Sequence, residues 1–449
     1  MKQKVSDYIA DRIAQWGIRD VFTVTGGGAM HMNDSFGHHP KLHCTYQHHE
    51  QACAMAAEAY ARMDNRMAAV CVTTGPGATN AITGVLGAWM DSIPMLVFSG
   101  QARYATTVPA SGLPLRSMGV QECNIVPVVT PITKYAHMVI HPEDIRYHLE
   151  KALYMAATGR PGPVWLDIPL DVQGAIIEPE SLRAYDPAEN PEQRPQEILQ
   201  ETIEKILDKI EESHRPVLSP GNGVRLAGAI KEFHELVDVL GMPVVTGMSS
   251  VDALESAHPY FVGRSGGTGT RPGNFALQNS DVLLSIGNRQ GFAQTGFQYQ
   301  DWARESYTIL NDIDENELKK PNLHVSLPVV GDAGELIRGL LAEAKKRGAD
   351  KGHPLFKGED WRKQCLLWKE KYPVVTGKHY ETLEEGCTNI YAFYGELSKA
   401  MKENENLMVS VGTSRVAGSQ AFQVKKGQRF IINSAIASMG YDLPAAIGV

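Results

Sequence analysis

The sequence predicts an α/β protein built from doubly wound, mostly parallel sheets, with three successive units of which the last is incomplete. Three observations lead there. Short apolar runs of strand length alternate with longer stretches of helical periodicity, the pattern of βαβ units. Glycine-rich turns stand directly after the apolar runs, as at Gly26-Gly27-Gly28 and Gly75-Pro76-Gly77. The same grammar recurs along the chain, interrupted by two polar stretches without periodicity.

The elements follow in order. Val5, Ile9, Ile13 and Trp16 lie near helical spacing and Gly17 is a plausible stop, so the chain opens on an amphipathic helix. Val21–Val24 reads as a strand ending in the triple glycine, and "KLHCTYQH" as a second strand. A helix runs from about Glu50 to Met63, then a buried strand over Ala68–Thr73, the Gly-Pro turn, a helix over roughly 79–90 and a strand at Met95–Ser99. A helix near 143–157 and the strand "GPVWLDIP" complete a first domain, 1–175. Residues 176–197, rich in Pro and Glu, read as a linker. The central domain, 198–343, holds the strands of "RPVLSPGNGV", "MPVVTG", "SDVLLSIGNR" and "SYTILNDID" and the helix of "LAGAIKEFHELVDVLG". Polar residues 344–372 read as a second linker. The third unit, 373–449, offers a helix near 388–402 and the strands "LMVSVG" and "RFIINSA", then the first turns of a helix at "YDLPAAIGV".

Composition narrows the function classes. With 449 residues, 43% of them hydrophobic, the chain is globular, and at roughly 100–200 residues per domain it has about two to four domains. A net charge of −8 leaves no electrostatic footprint for nucleic acid, and no polybasic run suggests a membrane surface. No apolar run reaches the length of a membrane span, and the N-terminus lacks the apolar core of a signal peptide. The six cysteines are scattered with no C-x-x-C pair, which favours reduced thiols and a cytoplasmic location. His48-His49-Glu50 lacks the i, i+4 spacing of a zinc site, and no metal site is expected within these residues.

The motif order resembles the thiamine diphosphate-dependent acetolactate synthase and pyruvate oxidase superfamily over nearly the whole chain. The stretches that carry it are "VFTVTGGGA", "HHEQACAMAAEAYAR", "VTTGPGATN", "DSIPMLVFSGQ", "VQE", "TKYA", "GRPGPVWLDIPLDV", "NSDVLLSIGNR" and "SMGYDLPAAIG". The resemblance implies three flavodoxin-like or Rossmann-like domains: pyrimidine-binding, central and diphosphate-binding, the last truncated here. It implies a 2-oxoacid carboligase or decarboxylase, with a 2-oxoacid donor and a carbonyl acceptor. It also implies a homodimer or homotetramer with Glu50 from one subunit facing Met439 of the other. Val24-Thr25 replace the tyrosine-proline often seen in the family, and Val120 a phenylalanine, so the substrate pocket is expected to differ.

The residues themselves say why such chemistry would use them. Thiamine chemistry starts by taking a weakly acidic proton from the thiazolium carbon, which the cofactor's own amino group can do in its imino form. A carboxyl bonded to the pyrimidine nitrogen drives that tautomer, and an apolar setting strengthens the bond. Glu50, heading a run of alanines, suits this, and the family's glutamate falls there. By position alone, a glutamate favoured by the helix dipole explains it as well. His49 matches a family histidine at the edge of the site, in a proton-shuttling role, or else it is a hydrogen-bonded histidine at the sheet edge. Gly26, Gly27 and Gly28 are at a strand's carboxyl end, where open α/β sheets bind ligands, and the resemblance puts them beside the reacting carbon. A plain turn is the alternative. Pro76 and Gly77 match the loop against the pyrimidine, with Asn80 nearby. Gln121 matches a glutamine at the cofactor's reactive end, and Lys134 a lysine of the substrate channel, with Gln101 a weaker case; solvated loop side chains are the alternative for each. Met439 matches the residue that holds the cofactor bent, or is ordinary core. Gly412, Thr413 and Ser414 match a loop touching the diphosphate.

Two expectations remain. The family binds magnesium through a G-D-G motif and a later Asn, and this sequence stops where that strand should begin, so the Mg2+ ligands are expected beyond Val449. The alternative function is a non-catalytic or partner-dependent subunit with an incomplete cofactor site. Arg289 matches an arginine near the FAD bound by some relatives, but neighbouring FAD contacts are not recognisable; thiamine diphosphate is the expected cofactor and FAD the weaker candidate.

Overall fold

The computed structural model describes residues 2–193, 195–381 and 386–449. They form two compact units: Met1–Arg194 with Ala435–Val449, and Pro195–Ser434.

The first unit is a six-stranded sheet of β1 (Asp20–Thr23), β2 (His43–Tyr46), β3 (Ala69–Val72), β4 (Met95–Gln101), β5 (Tyr135–Met138) and β6 (Pro163–Pro169) in the order β2-β1-β3-β4-β6-β5. Every neighbouring pair is parallel, so all six carboxyl ends share one edge. β3, β4 and β6 are buried along their whole length, which is why they read as near-continuous apolar runs. The edge strand β5, Tyr-Ala-His-Met, is half-buried throughout and has no such run; sequence analysis does not assign it. The opening helix, Val5–Trp16, buries Ile9 and Ile13 and ends on Gly17 at φ 108°, but Trp16 stands half-exposed rather than in the apolar stripe.

The alanines of the Glu50–Asp64 helix have a packing role. It lies against the Pro76–Asp91 helix so closely that a Cβ on Gly84 would sit 2.5 Å from that of Ala54. On another side the Asp442–Gly448 helix packs on it, and a Cβ on Gly448 would fall 2.1 Å from the Ala56 carbonyl oxygen. Small residues let three helices approach to backbone contact. Buried polar groups then fix the register: the Tyr441 hydroxyl donates to Glu58, and Arg62 bonds both Glu58 and, at 2.6 Å, Asp91. This packing divides the expected 373–449 domain. Residues 435–449 join the first unit and 373–434 the second.

The second unit holds β7 (Pro216–Pro220), β8 (Val244–Thr246), β9 (Phe261–Arg264), β10 (Val282–Ile286), β11 (Tyr307–Asp312) and β12 (Leu327–Val330), ordered β9-β8-β7-β10-β11-β12 and again all parallel. A two-stranded parallel sheet, β13 (Asn406–Val409) with β14 (Arg429–Ile432), completes it. The fold is therefore α/β with two doubly wound parallel sheets and a small third one, the architecture the sequence predicts. The expected second linker contains a helix. Most of 344–372 is helical, with Glu359–Lys371 burying only Trp361 and Cys365 among polar neighbours, so its sequence looked like solvated chain. Among the described residues, no helix is long and apolar enough to cross a membrane.

Asp252 fastens the small sheet inside this unit. Its carboxylate lies 2.7 Å from Arg429 and 3.4 Å from Arg225 and accepts the Phe430 N–H at 3.0 Å. Burial by itself would raise its pKa; the two guanidinium groups and the hydrogen bonds outweigh that and hold it at about 2. A depressed carboxylate contributes stability present above its unfolded value and lost as pH falls through the folded one. Urea unfolding should accordingly show about 2 kcal/mol disappearing between pH 4 and pH 2, and Asp252→Asn should lack that step.

Candidate active site

The site is assembled at the carboxyl ends of β1, β3 and β4. After β1 the chain turns through Gly26 into a short 3-10 turn, Gly27–Ala29. Gly28 donates its N–H to Thr73 Oγ1 at 3.1 Å, which pins this loop to the one after β3. The β3 loop needs glycine at 75: φ is +60°, and a Cβ there would lie 2.2 Å from the Gln121 carbonyl oxygen. Gly27 differs. Its φ is not positive, and a Cβ would meet nothing within 4 Å. Neither backbone geometry nor packing asks for glycine there, so the bare backbone faces open space above the sheet.

Glu50 reaches this place as the first residue of its helix. His49 is the N-cap, its Nδ1 accepting the Gln51 N–H at 3.1 Å, which puts the proton of a neutral ring on Nε2. Glu50 is half-buried. Its Oε2 accepts from Asn80 Nδ2 at 3.0 Å, and its Oε1 lies 3.5 Å from where a Gly77 Cβ would be. The structure thus brings Glu50, Asn80, Gly77 and the Thr73 loop together. Pro76 opens the following helix.

Beneath the loops runs a buried hydrogen-bond chain that sequence reasoning missed. Trp165 Nε1 donates to Ser99 Oγ at 2.8 Å, and Ser99 Oγ to Asp167 at 2.6 Å. Gln101 Nε2 donates to the other Asp167 oxygen at 3.1 Å and to the Cys123 carbonyl at 2.8 Å. Gln101 Oε1 accepts from Thr74 Oγ1 at 2.7 Å. Gln173 adds a tie, donating to the carbonyls of Gly28 and Ile168 at 2.7 Å each. Burial pushes the Asp167 carboxyl up to about 7, against the opposing effect of the bonds from Ser99 and Gln101. The available signal was one carboxylate inside the apolar run "PVWLDIP".

The remaining expected residues are distributed. Gln121 has φ +57° and an exposed side chain, and its carbonyl accepts from Thr74 Oγ1 at 3.3 Å. Met439 is 84% exposed and belongs to the same compact unit as Glu50. Lys134 is not brought to the cradle. It precedes β5, at the amino edge of the sheet, and donates to the Thr158 carbonyl at 2.5 Å; burial lowers its pKa to about 8. In the second unit, Gly412 at φ +68° caps the nine-residue helix Thr413–Ala421, with no side-chain cap and with Gly412 and Thr413 exposed. Its first N–H groups are open, the arrangement that suits a phosphate. Arg289 follows β10, and Lys320 Nζ donates to its carbonyl. Among the described residues, no group of three or more His, Cys, Asp or Glu could hold a metal ion.

Residues 3–135 match the family described as thiamine pyrophosphate enzyme, N-terminal TPP binding domain, and residues 203–340 match thiamine pyrophosphate enzyme, central domain. The chain is 29% identical over 451 residues to the acetolactate synthase isozyme 3 large subunit of Escherichia coli, covering 99% of this chain and 74% of that one. It is 32% identical over 433 residues to the acetolactate synthase large subunit of Corynebacterium glutamicum, with 95% and 65% covered. To the probable acetolactate synthase large subunit of Methanocaldococcus jannaschii it is 31% identical over 469 residues, with 99% and 73% covered. The chain thus spans 65–74% of the length of these relatives.

Asp167 has a raised pKa, so its sign is opposite to that of Asp252. The folded state holds its proton up to about pH 7 while the unfolded chain releases it near 3.8, and stability falls as pH climbs between the two. Urea midpoints at pH 5 and pH 8 should reveal a loss on the order of a few kcal/mol, and Asp167→Asn should flatten that slope.

Proposed function

The chain belongs to the thiamine pyrophosphate enzyme family that includes the acetolactate synthase large subunits, and we propose that it is a thiamine diphosphate-dependent 2-oxoacid carboligase or decarboxylase of the acetolactate synthase type. The observation that carries the reading is the pairing of Glu50 with the glycine cradle. A half-buried carboxylate, anchored by Asn80, stands beside loops tied to each other, and Gly27 faces open space that no fold requirement explains.

Thiamine diphosphate supplies, when bound, an electron sink for the negative charge left as carbon dioxide departs from a 2-oxoacid. The chain's residues do the rest. Glu50 would hold a proton at the pyrimidine nitrogen, with Asn80 fixing its Oε2. The Gly26–Gly28 backbone comes close to the reacting carbonyl, and its bare Gly27 leaves room for the substrate. His49, with its proton on Nε2 and Nδ1 engaged by the helix, can pass a proton only through Nε2. In the second unit, the backbone N–H groups of Gly412, Thr413 and Ser414 would hold phosphate oxygens, whose charge magnesium would neutralise. The exposed Met439 would support the cofactor by contact. Gln121, held in a left-handed turn, contributes at the substrate end. The open space over Gly27 would admit the 2-oxoacid and a carbonyl acceptor.

The test is activity with pyruvate, thiamine diphosphate and Mg2+ in the protein as encoded, read as carbon dioxide release and acetolactate formation, beside calorimetric titration of the cofactor. Saturable binding with turnover is expected; folded protein that binds no thiamine diphosphate would overturn the reading. Glu50→Gln should keep its fold and lose on the order of a hundredfold in turnover or more. Gly27→Ala should leave the urea midpoint within about 1 kcal/mol of the parent while turnover drops, because the added methyl fills space meant for a ligand.

A further inference from the structure

The second unit contains an open crevice of about 630 Å³ that the thiamine reading does not use. Four cations line it; Lys399 is paired with Glu396 at 2.7 Å, and the other three are held by backbone carbonyls. Arg264, on β9 and 2% exposed, donates to the carbonyls of Gln420 at 3.2 Å and Phe422 at 2.9 Å, while its Nε is buried with no partner. Lys369 Nζ donates to the carbonyls of Ser256 and Phe261, both at 2.9 Å. Lys425 Nζ donates to the Lys399 carbonyl at 3.1 Å and the Met401 carbonyl at 2.5 Å. Among the described lining residues there is no aspartate or glutamate.

Carbonyl dipoles solvate a cation without neutralising it. Burial lowers Arg264 to about 10, with the field of Asp252 opposing, and lowers Lys369 below its ordinary range, with repulsion from Arg264 adding to the effect. Asp252 is already shared between Arg225 and Arg429. The crevice therefore keeps a concentrated positive charge in a chain whose net charge is −8, and a concave, partly desolvated site of one sign is where a counter-ion gains most. The rest of the wall is aromatic and apolar, with Tyr372, Val375 and Tyr380. A cavity of this size suits a ligand of metabolite dimensions.

We propose that this crevice binds an organic phosphate, its dianion among Arg264, Lys369 and Lys425 and its apolar or aromatic body against Tyr372, Val375 and Tyr380. The site is separate from the diphosphate contacts at Gly412–Ser414 and does not rest on the thiamine assignment.

Calorimetric titration of the encoded protein with phenyl phosphate tests it, and the lysine variants below separate this crevice from any other phosphate site. Benzyl alcohol and inorganic phosphate are the comparison ligands. Phenyl phosphate should bind one to one and more tightly than inorganic phosphate, and benzyl alcohol should give no saturable heat. Lys369→Gln and Lys425→Gln should each weaken phenyl phosphate by about tenfold with near-ultraviolet circular dichroism unchanged. Arg264 is buried deeply enough that replacing it can unfold the protein, so the two lysine variants carry the test. Absence of saturable binding, equal affinity for inorganic phosphate, or binding unaltered in both lysine variants would each overturn the proposal.

Discussion

The candidate site depends on one unpaired acid in the middle of a sheet. Asp167 lies fully buried on β6, opposite Ser99 on β4, with hydrogen-bond donors around it and, among the described residues, no cation paired with it. Leaving it there is unfavourable to folding at neutral pH, as its raised pKa indicates. What the arrangement secures is orientation. With Asp167 accepting from the Gln101 amide nitrogen, the Gln101 oxygen must face the other way, toward Thr74. Thr74 begins the turn that passes through Gly75, and its hydroxyl also meets the Gln121 carbonyl. An amide that cannot flip therefore sets the position of the loops that surround Glu50.

Parallel topology makes this possible. With every strand of the first sheet running the same way, the loops after β1, β3 and β4 emerge side by side, and the head of the Glu50–Asp64 helix joins them. The alanines of that helix serve the same end from below. They let the Pro76–Asp91 and Asp442–Gly448 helices approach closely, and the buried Glu58, Arg62, Asp91 and Tyr441 set where along the helix they dock. Close packing and polar registration together leave little freedom for the carboxylate at the helix's end.

The second unit treats buried charge in two ways. Asp252 sits between two guanidinium groups and is fully compensated, which is a fastening. Arg264 and Lys369 are bonded to carbonyls, lie over the Phe261 ring and repel each other, and the field of Asp252 only partly offsets the charge of Arg264. The first is complete within the chain; the second is complete only with an anion.

Much of this was legible in the sequence, because some signals are local. β3, β4 and β6 announced themselves as apolar runs since both faces of each are buried, and glycine turns marked their carboxyl ends. Glu50 at the head of an alanine run was legible for the same reason: a helix carries its own periodicity. Edge strands β5 and β12 and the polar Glu359–Lys371 helix were not, because partial exposure removes the apolar pattern or brings it to two residues in a helix. Gln101, Asp167 and Thr74 could be seen only as isolated letters. Asp167 lies 68 residues from Ser99 and 66 from Gln101 in the chain, and sheet register alone decides that they meet. Likewise nothing in 435–449 says that it packs against the Glu50 helix rather than the strands preceding it. The sequence by itself determined the elements, since hydrophobic period and turn chemistry act over a few residues; the tertiary structure decided the partners, since strand order and helix docking are settled by how all the elements bury one another at once.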